Sequence, residues 1–293
     1  MIVIPGSFQY HSPGTLIEAA SLLRRHGEEA KILSGGQSLI PLLKLRLATP
    51  GHLVDINQVP GLAYLQEADG NLRIGALARE ADLEDSDLIR SRYPILSDTS
   101  RAIADPLVRN LATVCGNLAH ADPANDHPAT MLALEAEATA VGPGGERQLP
   151  LVSFFTGPFT TALQADEILA EVRVPVPPPR SGGAYLKFER KVGDFATAAV
   201  AVQLTLGPDG TCERVGIGLT NVGPVPIKAR RAEAWLRGKP LEERTCKEAA
   251  RLAAEESQPV SDFRGPAEYK RDLVGILTAR ALRRALERIA GGG

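Results

Sequence analysis

The sequence contains two short turns of small residues, Ser34-Gly35-Gly36-Gln37-Ser38 and Thr113-Val114-Cys115-Gly116-Asn117. Each turn adjoins an apolar stretch, Ile32-Leu33 before the first and Leu118-Ala119 after the second. In turns of this kind, exposed backbone amides can face a bound anion, and glycine lets the backbone approach a ligand closely. Two such turns can bind both phosphates of one dinucleotide.

The first turn does not match a nicotinamide-binding fingerprint. Asp55 follows the turn by about 20 residues, where such a fold places its ribose-binding acid. Gly35-Gly36 does not fit Gly-x-Gly-x-x-Gly, however, and Pro41 lies where the long phosphate-binding helix would run. Because an isolated Gly-Gly turn is often purely structural, its significance depends on the second turn.

The segment from Thr113 to Pro128 is dense in polar and turn-forming residues. Four of its side chains could bind a metal ion: His120, Asp122, Asp126 and His127. Pro123 disrupts any helical spacing among them, so we predict no metal site. Two interpretations of this segment remain open, a ligand-binding loop and a structural loop closed by Asx turns. Cys115 has no adjacent basic residue that would make it a redox nucleophile.

Composition limits the class of protein. The 293 residues suffice for about two domains, and 44% hydrophobic with 23% charged residues is ordinary for a globular chain. The net charge of −2 and 4% aromatic residues give no basis for nucleic-acid binding. No stretch approaches the ~18 apolar residues of a membrane span, and Met1–Gly6 does not resemble a signal peptide. We therefore expect a cytoplasmic protein.

The three cysteines are widely spaced and include no Cys-x-x-Cys pair. This pattern argues against a disulfide framework and against an iron–sulfur cluster held by this chain.

The N-terminal residues predict a βαβ-like unit. Thr15 and Glu18 form a capping-box pattern ahead of an apolar stripe that Gly27 ends. Strands are predicted at 31–33 and 52–56.

Further along, we predict strands at 71–76 and 171–174, helices within 80–101 that break at Pro94, and a hairpin turn at 142–145. The proline cluster 175–179 marks a domain boundary. Beyond it, alternating residues at 196–206 and 212–221 predict an antiparallel hairpin, and helices are predicted at 229–237, 241–256 and 266–289. The basic segment Lys187–Lys191 fits either a solvated strand or a cation placed over an electron-rich ring.

Taken together, these segments resemble the FAD-binding medium subunit of molybdenum hydroxylases, the carbon monoxide dehydrogenase and xanthine dehydrogenase family. The resemblance covers nearly the whole chain. It is carried by four blocks: Ser34–Pro41 with Lys44–Arg46, Thr113–Asn117 with Ala119–Pro123, Arg190–Ala196, and Gly218–Ala229.

The resemblance implies an α+β protein in two parts. Residues 1–176 would form an FAD-binding fold of the vanillyl-alcohol-oxidase (PCMH) type, with subdomains of about 1–57 and 58–176. Residues 184–293 would form a C-terminal α+β domain of antiparallel sheet and helices.

The resemblance also implies which residues contact FAD. The two turns would surround the diphosphate, Ile103 would pack near the cofactor, and Asp126 would accept hydrogen bonds from its polar part. Leu169 would contact the isoalloxazine through its backbone, and Lys187 would lie beside the pyrimidine end. The complete expected set is Ile32, Leu33, Ser34, Gly35, Gly36, Gln37, Ser38, Leu39, Ile103, Thr113, Val114, Cys115, Gly116, Asn117, Asp126, Leu169 and Lys187. No catalytic residue is expected on this chain.

The implied function is electron transfer within a complex. A large subunit would hold a molybdenum cofactor, a small subunit would carry two [2Fe–2S] clusters, and this chain would pass electrons through FAD to NAD or another acceptor. The assembly would be a dimer of heterotrimers.

Two alternatives stay open. In a stand-alone flavin oxidoreductase, Lys187, Arg190 or Asp194 would donate protons. In a structural subunit, the flavin site would be degraded. Cys115 and Phe195, where many relatives carry Gly and Tyr, are compatible with the latter. A positive φ at residue 115 would cost on the order of 1 kcal/mol with cysteine there.

Overall fold

The computed structural model describes residues 4–291. Met1–Val3 of the N-terminal segment and the last two residues of the expected C-terminal domain lie outside the described residues. The described part is the predicted α+β architecture, built on a three-stranded parallel sheet and two larger antiparallel sheets.

The N-terminal unit is the predicted βαβ arrangement. Its sheet is parallel, in the order β1-β3-β2. The side chain of Thr15 accepts a hydrogen bond of 3.2 Å from the amide of Glu18, and Gly27, at φ 56°, ends the first helix. In chain order the elements are β1 (Gln9–His11), α1 (Leu16–His26), β2 (Ala30–Leu33), α2 (Leu39–Lys44) and β3 (His52–Asp55).

The middle of the chain forms an antiparallel sheet in the order β4-β5-β10-β6-β7, with six short helices inserted between its strands. Pro94 is the first residue of α5, and a hairpin at Gly142–Gly145 joins β6 to β7, both as predicted. The elements are β4 (Leu65–Ala68), β5 (Asn71–Gly75), α3 (Glu80–Asp85), α4 (Asp87–Arg92), α5 (Pro94–Ala102), α6 (Pro106–Arg109), α7 (Val114–His120), α8 (His127–Ala133), β6 (Glu137–Gly142), β7 (Gly145–Pro150), β8 (Phe155–Gly157), β9 (Thr160–Thr161) and β10 (Ile168–Pro175).

The C-terminal part is a four-stranded antiparallel sheet in the order β11-β12-β13-β14, covered by long helices. The predicted hairpin is confirmed as β12 paired with β13. The elements are β11 (Ser181–Phe188), β12 (Ala198–Leu206), β13 (Cys212–Thr220), β14 (Ile227–Lys228), α9 (Arg230–Leu236), α10 (Glu243–Glu256) and α11 (Ala267–Gly291). None of the helices in residues 4–291 combines the length and apolar character that a bilayer-spanning segment requires.

Both faces of this last sheet are buried. On one face, Val200 and Val202 of β12 share an apolar cluster with Leu282 of α11. On the other, Ala199 and Ala201 share a cluster with residues of the middle part, including Met131. The alternation of side chains along β12 therefore joins the C-terminal sheet to the part of the chain that carries both turns.

Glycines in β13 permit this contact. A Cβ atom added to Gly218 would lie 1.9 Å from the carbonyl oxygen of Ala129 in α8, and one added to Gly216 would lie 1.9 Å from that of Ala133. Neither carbonyl can yield without moving the helix. The helix and the strand can pack this closely only because two side chains are missing.

We expect Gly218→Ala to lower the free energy of unfolding by on the order of 1–3 kcal/mol, because the methyl group displaces α8. Gly144→Ala is the matched control, since a Cβ atom there meets no atom within 4 Å, and its effect should stay within about 0.5 kcal/mol. Denaturant unfolding of both variants measures the difference. Equal stabilities would contradict the close packing.

Candidate cofactor-binding site

The two turns, which lie far apart in sequence, meet in the structure. Ser34 Oγ lies 3.1 Å from Thr113 Oγ1. Between the turns is a cavity of about 310 Å³. It is lined by Lys31, Ile32, Ser34, Gly35, Gly36, Gln37, Ser38, Leu39, Leu42, Ala112, Thr113, Gly116, Asn117, Ala119 and His120.

Gly35 allows the turns to approach each other. A Cβ atom at this position would lie 2.4 Å from the carbonyl oxygen of Leu111 and 3.0 Å from the amide nitrogen of Thr113. That Gly35 makes room for a ligand stays a prediction. Its missing side chain makes room for the other turn. Gly36, at φ 73°, occupies the left-handed region that favours glycine.

Arg79 fastens the two turns together. Its Nη1 donates to the carbonyl of Leu111 at 2.5 Å, and its Nη2 donates to Asn57 Oδ1 at 2.7 Å. Asn57 Nδ2 in turn donates to the carbonyl of Ser34 at 2.9 Å. The guanidinium thus fixes the segment before the second turn to the start of the first. Sequence reasoning missed Arg79 and Asn57, since neither belongs to either of the two glycine turns.

The first turn is rich in available donors. Within residues 4–291, the amides of Gly35, Gly36, Gln37 and Ser38 donate no hydrogen bond to another group of the chain. Consecutive free amides next to a glycine in the left-handed region are typical of an anion-binding concavity. This turn therefore has the donors that a diphosphate requires.

The prediction of a turn at residues 113–117 is wrong in one respect: Thr113 is the N-cap of a helix, and residues 114–117 are its first turn. The amides of this second turn are therefore used differently from the expectation. The amide of Val114 donates to Ala78, and those of Gly116 and Asn117 donate to the side-chain and main-chain oxygens of Thr113. Asn117 Oδ1 is buried and has no partner among the described residues. Three amides of the second turn are therefore used within the chain, and Asn117 retains unused hydrogen-bonding capacity.

Cys115 is a core residue. It lies in α7, is 2% exposed, and places Sγ 3.8 Å from the carbonyl of Ile74. Its φ is not positive, so the strain considered for cysteine at this position does not arise. Burial raises the pKa of its thiol, which keeps it protonated. The side chains of Val114 and Cys115 pack in the core and do not line the cavity.

A second group of expected site residues lies around Asp126. Lys187 Nζ donates to Asp126 Oδ2 at 3.2 Å and to the carbonyl of Ala102, which precedes Ile103, at 2.8 Å. The hydroxyl of Tyr185 donates to Asp126 Oδ1. Burial raises the pKa of Asp126, although Lys187 and Tyr185 act in the opposite direction. Burial followed by the charge of Asp126 raises the pKa of Tyr185.

This arrangement changes the electrostatic role expected of Lys187. Its ammonium is 3.3 Å from Glu189 Oε2 as well as 3.2 Å from Asp126, and its side chain is 5% exposed. Two carboxylates therefore offset its charge. Asn125, next to Asp126, donates to the carbonyl of Asn117 at 2.7 Å and so connects this group to the second turn.

Leu169 is buried in the same apolar cluster as Val114 and Cys115. The pairing of β10 with β6 shifts register between Leu169 and Glu171. Such a shift leaves backbone groups out of the ladder. The predicted backbone contact of Leu169 stays a prediction.

The four side chains considered as metal ligands are not gathered at one point. His127 Nε2 lies 2.7 Å from Glu80 Oε2 in the core, and Asp126 bonds to Tyr185 and Lys187. Asp122 Oδ1 accepts from the amide of Ala124 at 2.9 Å, which is the Asx turn allowed for by the sequence. His120 lines the cavity, and burial lowers its pKa.

Comparisons with known proteins agree with this geometry. Residues 6–177 match the model of the FAD binding domain in molybdopterin dehydrogenase, and residues 183–285 match that of the CO dehydrogenase flavoprotein C-terminal domain. The carbon monoxide dehydrogenase medium chain of Afipia carboxidovorans is 43% identical over 286 residues, which are 98% of this chain and 99% of the relative.

Solved structures show the same similarity. The carbon monoxide dehydrogenase of Hydrogenophaga pseudoflava contains a chain that matches with a TM-score of 0.94 and 43% identity, covering 97% of this chain and 99% of that one. Quinoline 2-oxidoreductase of Pseudomonas putida 86 matches with a TM-score of 0.90 and 32% identity, covering 97% and 98%.

The fold and the donor-rich cavity define a flavoprotein subunit of an oxidoreductase. The chain belongs to the family of FAD-binding medium subunits of molybdenum hydroxylases, and FAD is its cofactor. The free amides of the first turn and the unpartnered oxygen of Asn117 fit a ligand that carries both a diphosphate and hydrogen-bond donors.

We expect Gly35→Ala to lose most of its FAD, because the added methyl group forces the two turns apart. The flavin-to-protein absorbance ratio of the purified chain measures the loss. Gly144→Ala, which introduces the same methyl group into open space, should retain the wild-type ratio. A Gly35→Ala chain with full FAD content would show that the separation of the turns does not matter.

We expect Arg79→Lys to weaken FAD binding about tenfold, because a single ammonium cannot bond to Leu111 and Asn57 in the same fork geometry. Titration of the FAD-free chain with FAD, followed by flavin fluorescence, gives the dissociation constant. Arg90→Lys is the control, since Arg90 bonds at the surface to Asp87 and Glu84. Unchanged affinity in Arg79→Lys would exclude the fastening role.

Proposed function

We propose that this chain is the electron-transfer subunit of a heterotrimeric molybdenum hydroxylase, accepting electrons from [2Fe–2S] clusters of a small subunit and delivering them to NAD or another acceptor. The observation that carries the proposal is the cavity between the two turns, with its row of amide donors. FAD supplies the chemistry when bound, because a flavin exchanges electrons both singly and in pairs.

The residues of the chain divide this task. We propose that the amides of residues 35–38 bind the diphosphate and that Ser34, Thr113 and Asn117 add side-chain contacts. The remaining members of the expected set, Ile103, Asp126, Leu169 and Lys187, would lie along the rest of the cofactor. Because Lys187 is paired with two carboxylates, we propose that it positions the Asp126 group rather than acting as an isolated cation.

We propose two structural domains, residues 1–176 and 184–293, with the proline cluster 175–179 between them. The four-stranded sheet would support Asp126 and Lys187, while the first domain carries both turns. We place the protein in the cytoplasm, because its three cysteines are free thiols, as is usual in a reducing compartment.

The proposed partners are a large molybdenum-cofactor subunit and a small iron–sulfur subunit, in a dimer of heterotrimers. A surface suited to a partner lies on the second domain. Val192 is 94% exposed, Phe263 71% and Phe195 47%. Arg190 stacks on Phe263 at 5.0 Å and brings these segments together. Exposed apolar residues grouped in this way are typical of an interface.

The side chains that would donate protons in a stand-alone oxidoreductase form ion pairs within this chain. Asp194 bonds to Arg190 at 3.3 Å and to Arg264 at 3.2 Å. Desolvation raises the pKa of Asp194. Hydrogen bonds from the Phe195 amide, Arg190 and Arg264 lower it further than desolvation raises it, so the pKa of Asp194 lies below its usual value. An ionised Asp194 and a paired Lys187 do not favour this alternative.

Purification of the chain from its native host tests the proposal. We expect an affinity-tagged chain to copurify with a large and a small protein, giving one flavin, one molybdenum and about four irons per copy. Elemental analysis and flavin release measure these ratios. A chain that purifies alone and reduces its flavin with a small organic donor would contradict the proposal in favour of a stand-alone enzyme.

A further inference from the structure

Three of the five histidines of the chain converge at one end of the parallel sheet. His11 ends β1, His26 ends α1 and His52 begins β3. One ligating nitrogen from each ring lies within 4.8 Å of those of the other two. No other part of the described chain brings three potential metal-ligating side chains, whether histidine, cysteine or carboxylate, so close together.

The rings are close enough to share one ion. His11 Nε2 is 3.0 Å from His52 Nδ1, and two nitrogens bound to one tetrahedral Zn²⁺ are separated by about 3.3 Å. The rings of His26 and His52 are stacked with their centroids 3.6 Å apart. To bind a common ion, His26 and His52 would rotate out of this stacked arrangement, so that one nitrogen of each ring points at the same position.

The close stacking of the rings is compatible with metal binding. Two imidazolium cations would repel each other at the observed stacking distance. Neutral imidazole is the form that binds metal ions.

The surroundings allow an ion to enter. All three histidines are partly exposed, and the groove beside them is open at the surface between His11 and Arg25. The carboxylate of Glu29 packs against Gly51, the residue before His52. Glu29 thus places a negative charge beside the cluster, which favours a bound cation.

We propose that His11, His26 and His52 form a binding site for a divalent first-row transition-metal ion, with Zn²⁺ as the reference ion. Imidazole ligands suit Zn²⁺, Ni²⁺ and Cu²⁺. The ion would join the ends of β1 and α1 to the start of β3. Since β3 pairs with β2, and β2 leads directly into the first turn, the site would stabilise the sheet that supports that turn.

Titration of the full-length chain with Co²⁺ and Zn²⁺ tests the proposal. The chain is prepared without a histidine tag and dialysed against a chelator. We expect one equivalent of Co²⁺ to give tetrahedral absorption bands that Zn²⁺ abolishes. His26→Gln and His52→Gln should each weaken binding by more than the ~10- to 100-fold typical of changes around a metal ligand.

Arg24→Gln is the matched control, because Arg24 is an exposed residue of the same helix as His26 and lies outside the cluster. It should bind Co²⁺ like the wild type. A measurement on the unaltered chain makes the test independent of variant folding: one equivalent of Zn²⁺ should raise its thermal midpoint. Absence of a Zn²⁺ effect on the wild type, or equal weakening in Arg24→Gln, would overturn the proposal.

Discussion

The contact between the two glycine turns is the constraint on which the rest of the site depends. Ser34 and Thr113 are 3.1 Å apart through their hydroxyl oxygens, and this proximity is possible only because Gly35 lacks a side chain. Arg79 and Asn57 then hold both segments in place through three hydrogen bonds. Because these hydrogen bonds do not use the amides of residues 35–38, those amides remain free to bind a ligand. A preorganised donor set of this kind loses little conformational entropy on binding.

Hydrogen bonds and close backbone packing also connect the two large parts of the chain. Asn125 joins the second turn to the Asp126 group, and Asp126 is bonded to Tyr185 and Lys187 of the C-terminal sheet. That sheet reaches α8 because Gly216 and Gly218 have no side chains. The positions of the polar groups thus depend on close backbone packing at glycines on both sides of the site.

The sequence was sufficient to predict many of the strands and helices and the first turn, because capping residues, glycine turns and alternating strands are local signals. The prediction of a turn at residues 113–117 was wrong, since Thr113 caps a helix that runs from Val114 to His120. Thr15 and Pro94 mark helix starts through their own chemistry. The roles of Gly35 and Cys115 could not be obtained in this way. A side chain at Gly35 would collide with the backbone of Leu111, and Cys115 is buried against Ile74. Both roles therefore depend on contacts between distant segments. The histidine cluster was missed for the same reason, since its members come from three different elements with no metal-ligand spacing.

The central claim is that both turns bind the diphosphate of one FAD molecule, and a crystal structure of the FAD-loaded chain tests it most directly. The account predicts phosphate oxygens within about 2.9 Å of the amide nitrogens of residues 35–38, with Asn117 contacting the same molecule. A diphosphate bound away from the cavity between the turns, or in contact with only one of them, would contradict the account.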